Sequence, residues 1–386
     1  MKKLAIISTH PIQYYAPIFQ CLHKREVIEI KVFYTWGRFY NETHDPGFGK
    51  QINWDLPMLD GYPYEWALNT AQKPGSQHFC GIQNPKLIER IELWQPDSIL
   101  VFGWAYRSHL KLIRYFHSRI PVYFRGDSRL IRNKVGIRNA FKYFFLTWVY
   151  KHISLAFYVG TANKRYFKEY GLKEEQLVFA PHAIDNDRFS EDRKLEAYQL
   201  RQSLGIKEDG ILILFAGKLL KQKGPDVLLE AFQGLNRSKV HLLITGDGEI
   251  EGELKTSVRV NKNEKTVHFL PFKNQTEMPI LYQACDLFCL PSTGPETWGI
   301  AVNEAMACGK AILVSDEVGS AFDLVKTNEN GLIFKAGNAG ELLKKLQYLT
   351  ANKATLAIYG KRSKEIIVSW DILSVAKAIE SSINET

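Results

Sequence analysis

Residues 287–309 are LFCLPSTGPETWGIAVNEAMACG, and this stretch decides the predicted fold. It begins with four apolar residues, Leu287–Leu290, a length typical of a buried strand. A loop with Gly294 and Pro295 follows, and a helix is predicted to open around Thr297. A strand that passes through a short loop into a helix is the building unit of a parallel α/β sheet.

The same alternation of strand-like and helix-like stretches occupies the chain of 386 residues. This length exceeds what one ordinary core needs and fits two domains. The predicted strands form two series: Leu4–Ser8, Ile28–Tyr34, Ser98–Phe102, Val122–Phe124 and Leu155–Tyr158, then Ile211–Ala216, His241–Thr245, Val267–Phe269, Leu287–Leu290, Ala311–Val314 and Gly331–Phe334. The predicted fold class is therefore α/β, with two Rossmann-like, doubly wound domains. A turn-rich middle from Asn41 to Gly81 is predicted to be a long irregular insertion.

The net charge of +9 is unevenly placed along the chain. Residues 1–205 contain 29 Lys+Arg and 19 Asp+Glu, which is +10, and the remainder has 21 against 22, which is −1. The surplus concentrates between Ser128 and Lys168, where no acidic residue occurs and basic residues interleave with aromatic ones. Segment 129–168 either lies on an anionic membrane surface or forms a helix with a core face and a solvated basic face. Nucleic-acid binding is not expected, because no recognised binding module accompanies the charge.

Several features favour a cytoplasmic protein. No run of about 18 apolar residues is present, so no membrane-spanning helix is expected. The apolar N-terminus is interrupted by Ser8, Thr9 and His10, and is better interpreted as a first strand than as a signal peptide. Five scattered cysteines, an odd number, suit a reducing compartment and buried thiols.

The loop after Leu290 also carries candidate chemistry. The free amides at a helix start bind phosphate well. Glu296 and Glu304 are separated by seven residues, which in a continuous helix is about 12 Å of rise between them. One carboxylate could then accept hydrogen bonds from a sugar and the other from the ribose of an extended nucleotide-sugar. The alternative is that two glutamates near a helix simply face solvent.

This stretch resembles the E-x7-E region of retaining glycosyltransferases with the GT-B fold, from their fourth sequence family (glycosyl transferases group 1). Three further segments are similar to that family. They are AGKLLKQKG at Ala216–Gly224, similar to a G-R-x4-K-G diphosphate-binding segment, ITGDG at Ile244–Gly248, similar to a strand-to-glycine turn, and PHAIDNDRF at Pro181–Phe189, similar to a P-N-G-V-D-x-x-x-F linker. The matches run in order from Pro181 to Phe334, and the first half is supported mainly by strand order.

The resemblance implies a metal-independent enzyme with two domains that face each other across a cleft. Lys218 and Lys223 would hold the donor diphosphate, although Lys218 replaces the commoner arginine and loses its bidentate geometry. Glu296 would contact the transferred sugar, as a catalytic residue together with both lysines. The implied donor-binding residues are Gly217, Gly294, Thr297, Trp298 and Glu304.

The first domain departs from the family pattern twice. Thr9–Tyr15 replaces a glycine-rich loop, and we expect His10, Gln13 and Tyr14 to bind the acceptor, although His10 could equally be an ordinary loop histidine. After the strand that ends at Phe124, many members have a histidine. Here Arg125 and Asp127 are the candidates for contact with the sugar or the acceptor, and we assign both as catalytic.

By the same resemblance, residues 1–188 are predicted to form the acceptor-side domain and 207–367 the donor-binding domain, with a linker region at 189–206. A C-terminal helix, 368–386, is expected to cross back to the first domain. Asp185 and Asp187 match the D-x-D spacing of metal-dependent transferases, but their position in the linker pattern argues against a metal site.

The predicted activity is transfer of a sugar from a UDP- or GDP-sugar to a glycan or lipid-linked acceptor, in surface polysaccharide or glycolipid biosynthesis. The nucleotide-sugar is a co-substrate, and no cofactor or metal is expected. The protein would be cytoplasmic, with a peripheral position at the inner face of the membrane. The alternatives are a sucrose- or trehalose-type transferase with a soluble acceptor, a non-catalytic sugar-nucleotide-binding subunit, and a nucleotide-sugar epimerase.

Overall fold

A computed structural model describes residues 1–38, 53–130 and 137–385, without the side chains of residues 137 and 138. The described residues form two compact units. Unit 1 takes those within 1–43, 57–182 and 372–386, and unit 2 takes those within 44–56 and 183–371.

Unit 1 is built on a parallel sheet of seven described strands in the order β3-β2-β1-β4-β5-β6-β7. The strands are β1 (Lys3–Ser8), β2 (Glu29–Tyr34), β3 (Tyr64–Trp66), β4 (Ser98–Phe102), β5 (Val122–Arg125), β6 (Leu155–Tyr158) and β7 (Leu177–Phe179). The inner strand β1 is apolar and buried from Leu4 to Ile7, as expected for a strand covered by helices on both faces.

The helices described in unit 1 are α1 (Ala16–Arg25), α2 (Leu87–Trp94), α3 (Arg107–Phe116), α4 (Ile137–Tyr150), α5 (Thr161–Glu169) and the C-terminal α15 (Ile372–Asn384). Helix α15 buries an apolar face that includes Val375 and Ile379, and it packs against α1. A two-point ion pair joins these helices, because Arg25 donates to both carboxylate oxygens of Glu380, at 2.8–3.1 Å.

Unit 2 contains a second parallel sheet, of six described strands in the order β10-β9-β8-β11-β12-β13. They are β8 (Ile211–Ala216), β9 (Val240–Thr245), β10 (Val267–Leu270), β11 (Leu287–Leu290), β12 (Ala311–Ser315) and β13 (Gly331–Phe334). The helices described in this unit are α6 (Asn186–Ser190), α7 (Lys194–Ser203), α8 (Pro225–Gln233), α9 (Glu251–Val260), α10 (Met278–Ala284), α11 (Ala301–Ala307), α12 (Ala321–Leu324), α13 (Ala339–Leu349) and α14 (Lys353–Ile367).

The predicted α/β class with two doubly wound sheets is confirmed. In the first sheet, β2 and β3 add to one side of β1, and β4 to β7 then add to its other side. In the second sheet, β9 and β10 add to one side of β8, and β11 to β13 add to its other side. The points where the strand order reverses lie between β1 and β4 and between β8 and β11, and ligands of such sheets bind beyond the carboxyl ends of these strands.

Two edge strands escaped the sequence prediction. Strand β3 lies within Asn41–Gly81, which was predicted to be irregular, and a short 3-10 helix occupies Phe79–Gly81 of the same stretch. Residues 41–52 of that stretch lie outside the described part of the chain. Strand β7 was also missed. Each of the two strands has three residues, too few for an apolar alternation to be visible.

Candidate active site

Two loops meet at the reversal point of the unit 2 sheet. One follows β8 and contains residues 217–224, and the other follows β11 and contains residues 291–300. Because β8 and β11 are hydrogen-bonded neighbours, with Leu287 beside Ile213, both loops leave the same edge of the sheet. The sequence-predicted diphosphate-binding segment and the predicted sugar-binding stretch are therefore adjacent.

Close backbone contacts hold these loops together. Gly224 has a φ of +71°, and a Cβ there would lie 2.2 Å from the carbonyl oxygen of Pro291. The carbonyl of Gln222 accepts hydrogen bonds from the amides of Thr293 at 2.9 Å and Gly294 at 3.1 Å. A residue with a side chain at position 224 would force the loops apart, which explains the glycine that ends this segment.

A third loop, which follows β9, packs against the loop that follows β8. Gly246, after β9, has a φ of +134°, and a Cβ there would lie 2.0 Å from the carbonyl oxygen of Gly217. The amide of Gly217 donates to the carbonyl of Thr245 at 3.1 Å, and the amide of Leu219 donates to the carbonyl of Asp247 at 2.9 Å. The ITGDG turn therefore fixes the path of the backbone on either side of Lys218.

A cavity of about 180 Å³ opens between the two site loops. Its lining residues are Gln222, Lys223, Gly294, Pro295, Glu296 and Thr297. Four of them, Lys223, Gly294, Glu296 and Thr297, were predicted from the sequence as catalytic or donor-binding residues. We call this cavity the switch-point cavity.

Opposite charges meet in the switch-point cavity. The Lys223 ammonium forms an ion pair with the Glu296 carboxylate, and the two side chains are 25% and 16% exposed. The Ser292 hydroxyl donates to the same carboxylate at 3.3 Å. The main chain of Glu296 is fixed by two hydrogen bonds, from its amide to the carbonyl of Glu317 and to its carbonyl from the amide of Gly319. The cavity thus offers one positioned cation and one positioned acceptor.

The helix after this loop begins later than predicted. It was expected to open around Thr297, but α11 begins at Ala301 because Gly299 has a φ of +85°, outside the helical region. Thr297 lines the switch-point cavity, whereas the Trp298 side chain is 3% exposed and lies in the core of unit 2. Its indole N–H donates to Asn303 at 2.8 Å, and its ring stacks on Trp370.

Glu304 lies in α11 and does not line the switch-point cavity. Its side chain is 3% exposed, and one carboxylate oxygen accepts a 2.6 Å hydrogen bond from the Tyr282 hydroxyl. Only the last part of the interval between Glu296 and Glu304 is helical. The distance between the two residues that the sequence predicted for a continuous helix therefore does not apply. Tyr282, in α10, has no sequence signal that would have linked it to Glu304.

Lys218 and Gly217 directly follow β8 and are both partly exposed. Neither lines the switch-point cavity, whereas Lys223 does. A turn of 3-10 helix, Lys221–Lys223, carries the second lysine to the cavity.

Unit 1 presents a second group of predicted residues, at the carboxyl ends of β1 and β5. The His10 ring contacts the Thr9 hydroxyl at 2.8 Å and meets the edge of Trp36, and burial lowers its pKa to about 4. Gln13 and Tyr14 are partly exposed and lie in the turn that precedes α1. His10 is therefore a neutral hydrogen-bonding group near pH 7.

Arg125, the last residue of β5, is 2% exposed. Its guanidinium donates to the carbonyl of Ala180 at 2.9 Å and to that of Pro181 at 2.8 Å. Burial lowers its pKa to about 10, so it stays charged near pH 7. These contacts tie β5 to the segment that leads out of unit 1.

Asp127 forms an electrostatic cluster with Arg125, Tyr15 and His182. Burial, followed by the negative charge of Asp127, raises the pKa of the Tyr15 phenol, while Arg125 acts in the opposite direction. Burial lowers the pKa of His182 to about 4, with Asp127 raising it and Arg125 lowering it. His182 is therefore neutral near pH 7.

His182 and Tyr15 were not among the predicted site residues. His182 occupies the position of asparagine in the P-N-G-V-D pattern, and this exchange for a titratable residue was the signal available in the sequence. Tyr15 is the residue before α1, and its ring contacts Phe102 at the end of β4.

Residues 197–366 match the sequence profile of a family described as "Glycosyl transferases group 1". This segment, 170 of the 386 residues, is similar to the glycosyl transferases of group 1. The matched segment covers the unit 2 sheet and both loops of the switch-point cavity.

Curated relatives of this chain include two that are named for an activity. A D-inositol 3-phosphate glycosyltransferase of Salinispora arenicola is 29% identical over 208 residues, which are 49% of this chain and 45% of the relative. An alpha-monoglucosyldiacylglycerol synthase of Acholeplasma laidlawii is 29% identical over 208 residues, which are 52% and 51% of the two chains. The chain spans about half the length of these two relatives.

The fold is also found in a solved structure of Anabaena Alr3699/HepE in complex with UDP and glucose. It superposes with a TM-score of 0.73 at 20% identity and covers 100% of both chains. Together with the two parallel sheets, this similarity identifies the fold as GT-B.

The basic, aromatic-rich segment predicted from the sequence forms α4 and its surroundings. The aromatic residues Phe141, Phe144, Phe145 and Trp148 recur at helical spacing on one face and are 71%, 70%, 41% and 38% exposed. Leu146 and Val149, on the opposite face, are buried. We call the four exposed rings the α4 aromatic stripe. Residues 131–136 of the predicted segment, with Arg132 and Lys134, lie outside the described part of the chain.

Two further findings concern the parts of the chain that the structure describes. No group of three or more His, Cys, Asp or Glu residues is arranged there to hold a metal ion, and Asp185 caps α6 by accepting a hydrogen bond from the Arg188 amide. No helix in those parts is long and apolar enough to cross a membrane.

Proposed function

We propose that this chain is a retaining glycosyltransferase that moves a sugar from a UDP- or GDP-sugar to a hydroxyl of a glycan or lipid-linked acceptor, without a metal ion. The observation that carries the proposal is the Lys223–Glu296 ion pair in the switch-point cavity of a group 1 domain. The donor would bind unit 2 and the acceptor unit 1.

The ion pair suits a nucleotide-sugar because each partner has a counterpart on the donor. The Lys223 ammonium would move to the diphosphate oxygens, and the Glu296 carboxylate would accept hydrogen bonds from sugar hydroxyls. Lys218 would add positive charge from the same loop, and the amides of Gly294 and Thr297 would approach the phosphates. The UDP and glucose named for the Anabaena structure support this donor class.

Glu304 would contact the ribose. The Tyr282 hydroxyl bonds to one of its carboxylate oxygens and orients the carboxylate. The carboxylate held in this way would accept a hydrogen bond from a ribose hydroxyl. The buried indole of Trp298 would act indirectly, by holding the loop that carries Thr297.

In the reaction, the acceptor oxygen bonds to the anomeric carbon while the bond between that carbon and the phosphate oxygen breaks. Both events take place on one face of the sugar, so the configuration is retained. The acceptor proton passes to the leaving diphosphate, whose charge Lys223 and Lys218 compensate. No dedicated protein base is needed in this scheme.

On the acceptor side, we assign the contact role to Asp127, with neutral His182 beside it. The Asp127 carboxylate is partly exposed, whereas Arg125 is buried and bonded to two carbonyls. Arg125 would position the pair, and His10, Gln13 and Tyr14 would form the remaining acceptor wall.

The α4 aromatic stripe supports a position at an anionic membrane, in assembly of surface polysaccharide or glycolipid. Exposed aromatic rings partition into the headgroup region, and basic neighbours such as Lys142 add attraction to anionic lipids. The lipid product named for the Acholeplasma relative is consistent with this position.

Donor hydrolysis tests the proposal without knowledge of the acceptor. The purified chain would be incubated with UDP-glucose, UDP-galactose and GDP-mannose in EDTA, and proton NMR would follow the released sugar. Slow release of the anomer found in the donor supports retention. First release of the opposite anomer would indicate inversion, recovery of an epimerised donor would indicate an epimerase, and no consumption of any donor would favour a non-catalytic subunit.

A further inference from the structure

A second and larger cavity lies in unit 1, along its edge strand β3. Its volume is about 970 Å³, and its walls come from β3 and the chain on both sides of it, from the chain after β2, and from α2 with the turn before it. Its lining residues include Arg38, Tyr64, Glu65, Trp66, Asn84 and Lys86. His10 and Arg125 do not line this cavity, so it is separate from the acceptor residues assigned above. We call it the edge-strand cavity.

Positive charge prevails in the edge-strand cavity. Its charged lining residues in the described chain are Arg38, Lys86, Arg90 and Glu65, which sum to +2. The Glu65 carboxylate is already shared, because Arg90 and Lys31 both reach it at 2.7 Å. Burial would raise the pKa of Glu65, but the hydrogen bonds from Arg90 and Lys31 outweigh burial and keep it below its usual value. Glu65 therefore neutralises Arg90 rather than the other two cations.

Arg38 and Lys86 are both exposed, and neither pairs with a carboxylate among the described residues. An exposed cation needs no partner by itself. Two of them on the wall of one cavity, however, create a local preference for an anion.

Aromatic rings line the same cavity. Tyr64 and Trp66 are two residues apart on β3, so their side chains lie on one face of the sheet, with ring centroids 6.0 Å apart. Tyr34 on β2 contacts both rings and holds them in place. Tyr64 is 38% exposed, although it is a large ring on a sheet. Such rings offer a flat apolar surface to the C–H faces of a sugar.

Asn84 adds a hydrogen-bond acceptor. Its side chain is 8% exposed, and its amide nitrogen donates to the carbonyls of Thr35 at 2.9 Å and Leu68 at 3.0 Å. Its Oδ1 atom is buried and has no hydrogen-bond partner among the described residues. An unsatisfied buried acceptor costs about 1–3 kcal/mol, and a hydroxyl donor would recover part of that cost.

We propose that the edge-strand cavity binds an anionic glycan, a chain of sugars that carry carboxylate or phosphate groups. Tyr64 and Trp66 contact the sugar rings, Arg38 and Lys86 bind the negative groups, and Asn84 accepts from a hydroxyl. The volume lies at the upper end of the range for small-molecule sites and suits several sugar units better than one. The binding requires no donor and no transfer, so it stands apart from the proposed activity.

Isothermal titration calorimetry of the full chain tests this proposal with tetragalacturonate as the probe and maltotetraose as its neutral counterpart. We expect tetragalacturonate to bind at least 10-fold more tightly than maltotetraose. The double variant Arg38→Gln with Lys86→Gln should bind tetragalacturonate at least 10-fold more weakly. Its affinity should also depend less on the salt concentration. Lys24→Gln with Lys111→Gln, two exposed cations of unit 1 outside the cavity, is the matched control and should bind as the unchanged chain does.

Three results would overturn the proposal. The first is equal binding of the charged and neutral probes, or binding of neither. The second is an equal loss in both double variants, which would indicate unspecific attraction of charge. The third is competition by UDP that disappears in the Arg38/Lys86 variant, which would assign the cavity to a nucleotide. The unfolding temperature of each variant verifies its fold, and donor hydrolysis reports on the proposed activity independently.

Discussion

Lys223 and Glu296 form an ion pair across the two loops that leave the carboxyl ends of β8 and β11. Lys223 comes from the diphosphate-binding segment and Glu296 from the E-x7-E stretch, 73 residues later in the chain. The pair therefore joins the two sequence motifs that define the proposed donor site. When a donor binds, this ion pair would separate. Lys223 would then contact the diphosphate, and Glu296 would accept hydrogen bonds from the sugar hydroxyls.

Glu296→Gln tests the carboxylate. The change preserves shape but removes the charge, so we expect donor turnover to fall by about 10²–10³-fold, the range for loss of one positioned electrostatic contact. The free energy of unfolding should change by less than about 1 kcal/mol, because the ion pair is partly exposed. Glu253→Gln serves as the control for turnover. It removes the carboxylate that pairs with Lys221, in an ion pair that is far more exposed than the one between Lys223 and Glu296. Full activity in Glu296→Gln would remove this residue from the site.

Gly224→Ala tests the contact between the loops. A methyl group at this position would meet the Pro291 carbonyl and adopt an unfavourable φ, so we expect a loss of about 1–3 kcal/mol or more in unfolding free energy. Gly252→Ala in α9 is the matched control. Its Cβ would meet nothing within 4 Å, and alanine favours a helix, so stability should stay level or rise by up to about 1 kcal/mol. Urea unfolding measures both, and equal stability of the two variants would refute the close contact.

Stability should fall as the pH drops from about 6.5 towards 4. His109 is fully buried, with Nε2 near the Thr35 hydroxyl and Nδ1 near the Gly103 carbonyl, both at 2.8 Å. Burial lowers its pKa to about 4, although hydrogen bonds to backbone carbonyls act the other way. The unfolded chain therefore binds a proton in this window that the folded chain does not, which costs the folded state up to about 3 kcal/mol.

Urea unfolding at pH 7, 6, 5 and 4.5 measures that loss. His109→Asn should be less stable at pH 7 but lose less stability on acidification than the unchanged chain. His23→Gln, at an exposed position of α1, should follow the unchanged chain at every pH. A His109→Asn curve parallel to that of the unchanged chain would contradict the assignment.

Phe141→Ser with Phe144→Ser tests the α4 aromatic stripe. Both rings are about 70% exposed, so the fold should be unaffected, while partition to vesicles with anionic lipids should fall at least about 10-fold. Leu195→Ser with Tyr198→Ser, two exposed apolar residues of α7 in unit 2, is the control. Cosedimentation with vesicles of phosphatidylcholine and phosphatidylglycerol measures the partition. An unchanged partition of the α4 variant, or an equal loss in the α7 control, would argue against membrane contact through this stripe.

The buried strands were the most predictable part of the fold. Ser98–Phe102, Leu155–Tyr158, Ile211–Ala216, Leu287–Leu290 and Gly331–Phe334 were predicted with the bounds that the structure has. Parallel strands that are covered on both faces are continuous apolar runs between turn residues. Tyr64–Trp66 is an edge strand of three residues in a turn-rich stretch, and pairing with β2 rather than local pattern makes it a strand.

In the candidate site, motif spacing predicted which loops meet but not how their side chains are used. Lys223, Glu296, Gly294 and Thr297 do line one cavity. The burial of Trp298 follows from its contacts with Asn303 and with Trp370, 72 positions along the chain, and no local pattern encodes that. The same holds for the hydrogen bond from Tyr282 to Glu304, since it depends on how α10 packs against α11.

The central claim, that Lys223 and its loop bind the diphosphate of a nucleotide-sugar, is tested most directly by titrating UDP and GDP in EDTA into three forms of the protein. These are the unchanged chain, Lys223→Ala and Lys221→Ala, whose lysine lies in the same turn but points to Glu253 and is 67% exposed. We predict that one nucleotide binds the unchanged chain and Lys221→Ala alike, and binds Lys223→Ala at least 10-fold more weakly, as expected for a lost charge-assisted contact. Equal affinity for Lys223→Ala and the unchanged chain, or an equal loss in both variants, would contradict the account.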